Sequence, residues 1–387
     1  MKKALVVGGS NGIGLAVSLE FANRGYSVVV LDRAEPDPLV KRVEGRYEYR
    51  HCDLLDFDEA QFSSLADDMN VDAVMVTAGF GRCAEFEFLH LGEVENLLRV
   101  NTEGALKIAR IFYPRIKSKN EFRFGVMCSI AGIVSSPGFS VYAAGKAAVH
   151  RFCESVNAEL SSDGFVNRIL CVSPGSIKGS RFSGGENDIE SLEPLARQIV
   201  SSLLDGKDSL IPDYEEIYRE VIERYRNDSM GFGLESLSYK KNTGRLKNEM
   251  SARIGYLSGT FDLFHIGHLN LLRRAKEQCD YLIVGVHRDA SHKGKEAFIP
   301  FEERMEIVAS CRYVSKVVEA CREDSDAWNR WHYNRLFVGS DYKGTERFER
   351  YEEFFADKGV RIVYFPYTKG TSSTKLRMAM EEMIKRI

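Results

Sequence analysis

The sequence lacks most features that mark secreted, membrane or nucleic-acid-binding chains. Its eight cysteines are scattered and form no Cys-x-x-Cys pair, which speaks against a zinc or disulfide framework and suits reduced structural thiols. No apolar stretch approaches the roughly 18 residues of a membrane helix. After Met1, Lys2 and Lys3, only Ala4 to Val7 precede the first glycines, so the sequence reads as a cytoplasmic protein without a cleaved signal. An excess of one charge is also missing. The 53 Lys and Arg balance 56 Asp and Glu for a formal charge of −3, leaving no bulk attraction for nucleic acid or an anionic bilayer. No internal repeat or low-complexity segment is present.

What is present is an ordinary globular composition, 44% apolar and 28% charged over 387 residues, a length that predicts two to three domains. Short apolar runs alternate with helical patterns. Ala4 to Val7, Ser27 to Leu31, Ala73 to Val76, Phe124 to Cys128 and Arg168 to Val172 read as buried strands, and this alternation predicts a doubly wound parallel α/β sheet. The stretch from Glu186 to Arg226 reads as helical. Met230 to Glu249, rich in Gly and polar residues, breaks the periodicity and is taken as the boundary, giving domains over 1–245 and 252–387. The second domain restarts the rhythm with strands at Arg253 to Leu257, Tyr281 to Val286, Lys316 to Glu319, Arg335 to Val338 and Arg361 to Tyr364.

In the first domain the strand ending at Val7 runs into Gly8, Gly9, Ser10, Asn11, Gly12, Ile13 and Gly14, followed by a helical stretch. Glycines let backbone N–H groups approach a pyrophosphate, and the helix start adds positive potential. Asp32 ends the second strand, where a carboxylate accepts from ribose hydroxyls and repels a 2′-phosphate. Arg33 beside it is suited to pair with such a phosphate, so NAD(H) and NADP(H) both stay open. Tyr142 and Lys146 share a helix face at a spacing of four, and a nearby cation lowers a phenol pKa. Such a Tyr can pass a proton to a carbonyl oxygen, with the Ser129 hydroxyl holding that oxygen. Lys178 and Arg181 fit either a phosphorylated substrate or solvated loop charge.

Together these residues resemble the short-chain dehydrogenase/reductase family over about residues 1–240. The likeness extends to Asp53, to Thr77-Ala78-Gly79 where the family has Asn-Ala-Gly, to Asn101, and to Ser173-Pro174-Gly175; Val7 stands where a Thr is usual. The resemblance implies Tyr142 as acid/base and Lys146 holding the nicotinamide ribose. It also implies Ser129 orienting substrate, Asn101 organising a relay water, and a cofactor cradle including Gly8, Ser10, Asn11, Gly12, Ile13, Gly14, Asp32, Asp53, Ala78, Gly79, Pro174 and Gly175.

In the second domain, Ser258 to His268 follow a strand and open an amphipathic helix. His265 and His268, three residues apart around Gly267, lie on one face and suit a pentacovalent α-phosphate. A third metal ligand nearby is lacking, which disfavours zinc. Thr368, Ser372 and Ser373 precede another helical stretch and suit a polyphosphate. This arrangement resembles the cytidylyltransferases, specifically the bacterial glycerol-3-phosphate enzymes, over about residues 252–380. The likeness implies CTP and Mg²⁺, transition-state contacts from His265 and His268, and nucleotide or substrate contacts from Thr260, Phe261, Lys293, Lys295, Arg304, Arg312, Asp341, Thr368, Ser372 and Ser373. No protein-held metal is expected. Tyr367 and Lys369 depart from the Arg and Glu usual there.

The combined expectation is two Rossmann-like domains in tandem, in a homo-oligomer. The first reduces a keto-sugar phosphate, with ribulose 5-phosphate as the leading substrate. The second converts the alditol phosphate to a CDP-alditol for a teichoic-acid-like or capsular polymer. Dihydroxyacetone phosphate with CDP-glycerol is the alternative, and a scaffold with one idle nucleotide-binding domain is the reading from another class.

Overall fold

The computed structural model describes residues 2–43, 45–177, 188–246, 248, 253–289, 297–366 and 376. Lys178, Arg181, Lys293, Lys295, Tyr367, Thr368, Lys369, Ser372 and Ser373 lie outside the described residues. The chain divides into two compact units, Met1–Glu249 and Met250–Ile387.

The first unit carries strands β1 (Lys3–Val7), β2 (Ser27–Asp32), β3 (Tyr47–His51), β4 (Val71–Val76), β5 (Arg123–Met127), β6 (Ile169–Val172) and β7 (Ser209–Leu210) in the order β3-β2-β1-β4-β5-β6-β7. Every pairing is parallel. Ala4 to Val7 and Val28 to Leu31 are buried throughout, since helices cover both faces and each strand therefore reads as a continuous apolar run. Helices α1 (Gly12–Asn23), α2 (Glu59–Asp67), α3 (Leu91–Leu98), α4 (Gly104–Ile116), α5 (Ser140–Ser162), α6 (Ile189–Leu204), α7 (Arg219–Asn227) and α8 (Ser229–Asn242) complete the unit. α1 and α6 close one face through Leu15, Phe21, Ile199 and Leu203. α2, α4 and α5 close the other through Phe62, Phe112 and Val149.

Three expectations need correction here. β3 was not foreseen, because it is an edge strand of alternating Tyr and charged residues with no buried position. The stretch 186–226 is interrupted by β7 and by a π-turn at Tyr214–Tyr218. Met230 to Glu249 is no break, since most of it forms α8. The Asp228 side chain accepts from the Gly231 N–H at 2.8 Å, and Lys240 ties the helix to Ser136 Oγ and the Pro137 carbonyl at 3.1 and 2.7 Å. Capping and tertiary contact offset the poor helix propensity of the glycines.

The second unit carries β8 (Ile254–Gly259), β9 (Tyr281–Val286), β10 (Lys316–Glu319), β11 (Arg335–Gly339) and β12 (Arg361–Phe365) in the order β10-β9-β8-β11-β12, all parallel. Helices α9 (Ile266–Glu277) and α10 (Phe301–Ala309) pack Leu272 and Val308 against one face. α11 (Asp324–Trp331) and α12 (Glu346–Phe355) pack Ala327, Phe348 and Phe355 against the other. In both sheets the chain order reverses beside the first strand of the unit, between β1 and β4 and between β8 and β11. A doubly wound sheet opens its ligand crevice at the carboxyl ends of the strands at such a point.

Arg304 ties this second crevice together. Its side chain is buried and donates to the carbonyls of Ile299, Thr260, His287 and Arg288 at 2.6–2.9 Å. Four of the five Arg304 N–H donors therefore serve the backbone, which makes its first role here the holding of these loops. Arg304→Met is predicted to cost about 3 kcal/mol by orphaning buried carbonyls. Faster amide exchange across β8 to β11, with exchange in β1 to β7 unchanged, would show it. An equally stable variant with a raised substrate KM would return Arg304 to a binding role.

Candidate functional sites

At the first switch point the turns after β1 and β4 touch. A Cβ on Gly8 would fall 2.5 Å from the Ala78 backbone and one on Gly14 would fall 2.0 Å from the Gly8 carbonyl. Gly8 and Gly12 also adopt φ of +87° and +52°, which glycine reaches without steric cost. The turn, the start of α1 and the ends of β2, β4, β5 and β6 enclose a cavity of about 520 Å³. Gly8, Asn11, Gly12, Ile13, Gly14, Asp32, Asp53, Ala78, Gly79, Ser129, Tyr142, Lys146, Pro174 and Gly175 all line it. Asp32 accepts from the N–H groups of Ser10 and Ala34, both at 3.0 Å, which fixes the carboxylate at the end of β2. Arg33 stacks its guanidinium 6.0 Å from the Phe80 ring centroid.

One expected cradle residue, Ser10, and the expected relay residue, Asn101, do not line the cavity. Ser10 is fully buried and absent from the lining, because its N–H serves Asp32. Asn101 also lies off the lining. Its amide oxygen accepts from Phe80 N–H at 3.1 Å, and its nitrogen donates to the Phe80 and Leu97 carbonyls. It sits in a π-turn, Arg99–Glu103, between α3 and α4, a device found often at functional sites. These bonds tie Asn101 to the main chain at Phe80, beside Gly79.

Tyr142 and Lys146 occupy the first two turns of α5. The Lys146 ammonium is buried, donates to the Met127 carbonyl at 2.8 Å and lies 5.6 Å from the Tyr142 ring centroid. Burial lowers its own pKa. The expected fall in the Tyr142 pKa is not found. Burial pushes the phenol up to about 12, partly opposed by the Ser129 hydroxyl, because desolvation of a phenolate outweighs the cation here. The phenol holds its proton across neutral pH, which suits an acid facing a carbonyl oxygen.

At the second switch point, His265 is the N-cap of α9. Its Nδ1 accepts from the Gly267 N–H at 3.0 Å, while His268 Nδ1 accepts from the His265 N–H at 3.4 Å, a reciprocal capping box. The two imidazoles stack at 4.0 Å between centroids. With both Nδ1 atoms accepting, the hydrogen-bond network assigns the protons to Nε2. Burial lowers the His265 pKa below 6.5, so it is a neutral donor at physiological pH. Phe261 is buried and lies 5.3 Å from the His268 ring, so its side chain braces the pair. Phe261 and Leu263 adopt φ of +53° and +48°, strain that clusters at functional loops. The loop is held by the buried Asp262, which accepts from the Phe298 and Ile299 N–H groups. Thr260 Oγ1 is buried with no hydrogen-bond partner among the described residues, a polar atom left for a ligand. Asp341 is exposed in the turn after β11, and Arg312 reaches the Tyr313 hydroxyl at 3.1 Å.

The two sites define a dinucleotide-type crevice in one unit and a phosphate-type helix start with paired histidines in the other. Among known proteins, the short chain dehydrogenase family matches residues 2–189 and the cytidylyltransferase-like family matches residues 256–379. The second unit is 32% identical over 126 residues to the glycerol-3-phosphate cytidylyltransferase of Staphylococcus aureus and 37% identical over 123 residues to that of Bacillus subtilis. These matches take in 32% and 31% of this chain and 90% of each relative. The chain belongs to the cytidylyltransferase-like family through this unit, joined to a unit that the short chain dehydrogenase family model matches. That first unit is 26% identical over 201 residues to the uncharacterized oxidoreductase YbbO of Escherichia coli, covering 50% of this chain and 72% of YbbO. A short-chain dehydrogenase from Sphingobium yanoikuyae, solved in complex with NADPH, shares the fold at TM-score 0.51 and 22% identity, over 60% of this chain and 95% of that one. No described helix is long and apolar enough to cross a membrane.

Sequence reasoning passed over Lys240 and Arg245, which line the first cavity from the segment taken as a linker. Their only signal was two cations in a stretch whose helical character depends on tertiary contact. The raised Tyr142 pKa sets a further expectation. A group whose folded pKa exceeds its ordinary 10.0 contributes stability that is complete below pH 10 and lost as pH rises through about 12. In the free enzyme, phenolate absorbance of wild type minus Tyr142→Phe should show no step at pH 10. A step there would mean that the phenol is solvated or already paired with Lys146.

Proposed function

We propose that the chain is a bifunctional enzyme whose first unit reduces a keto-sugar phosphate to an alditol phosphate and whose second unit transfers a cytidylyl group from CTP to that phosphate. The observation that carries this reading is the joining, in one chain, of an intact Ser129, Tyr142, Lys146 crevice to an intact His265, His268 helix start. Both units handle phosphate-bearing molecules, and an alditol phosphate is a chemically sensible product of one and acceptor of the other.

Reduction needs a hydride, which NAD(P)H supplies when bound. The residues fit it: the glycine turn admits the backbone to a pyrophosphate, the start of α1 favours its charge, and Asp32 and Asp53 stand at the adenosine end. Asp32 favours NADH over NADPH by repelling a 2′-phosphate. Ser129 orients the carbonyl oxygen and Tyr142 delivers the proton to it, while Lys146 holds the nicotinamide ribose. In the second unit an oxygen of the alditol phosphate attacks the α-phosphorus of CTP, and pyrophosphate leaves. His265 and His268 donate through Nε2 to the oxygens around that phosphorus, on which negative charge builds up. The described residues contain no group of three or more His, Cys, Asp or Glu able to hold a metal. Mg²⁺, where it takes part, draws oxygen ligands from the nucleotide phosphates.

The substrate pair that leads is ribulose 5-phosphate and CTP, giving CDP-ribitol for a cell-surface polymer, in a cytoplasmic homo-oligomer. A dedicated reductase is of most use where the alditol phosphate is not otherwise supplied. A second reading, dihydroxyacetone phosphate leading to CDP-glycerol, is favoured by the identity to glycerol-3-phosphate cytidylyltransferases.

The test is a single reaction of the full chain with CTP, Mg²⁺, NADH or NADPH and one ketose phosphate, following nicotinamide absorbance and pyrophosphate together. Equal signals with ribulose 5-phosphate support the leading pair, equal signals with dihydroxyacetone phosphate support the second, and uncoupled signals with every ketose phosphate refute the shared intermediate. Tyr142→Phe should lower reduction by roughly 10²–10⁴ and leave cytidylyl transfer from added alditol phosphate intact. His268→Ala should do the reverse, by about 10²–10³.

A further inference from the structure

Lys240 and Arg245 enter the reductase cavity at its Tyr142 side. Lys240 is 7% exposed. Its ammonium donates to Ser136 Oγ at 3.1 Å, the Pro137 carbonyl at 2.7 Å and Ser236 Oγ at 3.2 Å, all neutral acceptors. One aromatic ring separates it from the phenol. The Phe139 centroid lies 5.5 Å from Lys240 Nζ and 6.0 Å from the Tyr142 centroid. Arg245 reaches Ser176 Oγ at 3.5 Å, two residues beyond Pro174, whose carbonyl faces Ser129 Oγ at 3.5 Å. Both cations therefore stand at the reacting end, away from Asp32 and Asp53. Among the described residues neither forms an ion pair with a carboxylate, whereas the part-buried Arg82 of the same unit is paired with Glu93 at 2.8 Å.

Holding a buried ammonium beside a guanidinium with no counter-charge costs free energy. Burial and the neighbouring Arg245 both press the Lys240 pKa down. An anion arriving between them would reverse that cost, and Arg supplies a planar fork suited to a phosphate. We propose that Lys240 and Arg245 form the subsite for the phosphate of the ketose phosphate, placing its carbonyl at Ser129 and Tyr142. The proposal rests on the reading of the first unit as a reductase of phosphorylated keto-sugars, and it makes α8 and the residues after it the determinant of that specificity.

The test uses the full chain and compares a ketose phosphate with the same ketose lacking phosphate, in wild type, Arg245→Gln, Arg245→Lys and Lys240→Met. A charged hydrogen bond is worth about 1.5–3 kcal/mol, so Arg245→Gln should raise KM for the phosphorylated substrate roughly tenfold to a hundredfold. Its kcat/KM for the unphosphorylated ketose and its KM for NAD(P)H should stay unchanged. Arg245→Lys should recover part of the loss. Inorganic phosphate should inhibit wild type competitively against the ketose phosphate and inhibit Arg245→Gln far less. Lys240→Met is read only as a ratio of the two substrates, so a general loss of folded protein cancels. Equal losses on both ketoses, or a rise confined to the dinucleotide KM, would overturn the subsite. If wild type shows no preference for the phosphorylated ketose, the underlying reductase reading fails too; if it shows that preference and the variants keep it, only the subsite fails.

Discussion

A parallel sheet in which the chain winds outward in both directions from a first strand leaves adjacent loops turning to opposite faces, and the space between them cannot be filled by either. That constraint places everything chemical in this protein. In the first unit it separates the turns after β1 and β4 just enough for a cavity, while Gly8 and Gly14 bring the same turns into backbone contact at its base. In the second it sets the loop after β8 and the turn after β11 on either side of the helix start that carries His265. The same winding, used twice in one chain, presents main-chain N–H groups and a helix N-terminus at each crevice.

Around these crevices, buried polar side chains act mainly as fasteners. Ser10 and Asn101 both secure main chain that borders the first cavity: the Ser10 N–H anchors Asp32, and the Asn101 amide anchors the main chain at Phe80. Arg304 and Asp262 do the same in the second unit, one by donating to four carbonyls and the other by accepting from two N–H groups. The groups at the two crevices are chemically distinct: carboxylates at Asp32 and Asp53, the Tyr142 phenol, the Lys146 ammonium and the Ser129 hydroxyl with Lys240 and Arg245 in the first, and a stacked pair of imidazoles in the second. Burial moves the pKa of Tyr142, Lys146 and His265 more than their charged neighbours do. Tyr142 keeps its proton although Lys146 is on the next turn, since the phenolate would lose its hydration and gain little from an ammonium committed to the Met127 carbonyl.

The strands, both doubly wound sheets and most of the cradle were legible in the sequence because strands buried on both faces must be apolar throughout, and because a phosphate-binding turn needs glycine at particular steps. The edge strand β3 was not legible, since one flank and much of its surface face water and its residues alternate without an apolar run. Helix α8 was not legible either. Its glycines argue against a helix locally, and the Asp228 cap and the Lys240 hydrogen bonds to Ser136 and Pro137 decide otherwise.

The sequence by itself determined the two α/β units, the residue types at each crevice and the chemistry those types permit, because these follow from local spacing and from periodicity. Tertiary structure alone decided which polar residues touch the cavity and which stand behind it, that burial raises the Tyr142 pKa, and that Lys240 and Arg245 line the same cavity as Ser129 and Tyr142, about a hundred residues away in the chain. Those outcomes depend on desolvation and on contacts between distant segments, and neither quantity exists until the sheet has closed around its helices.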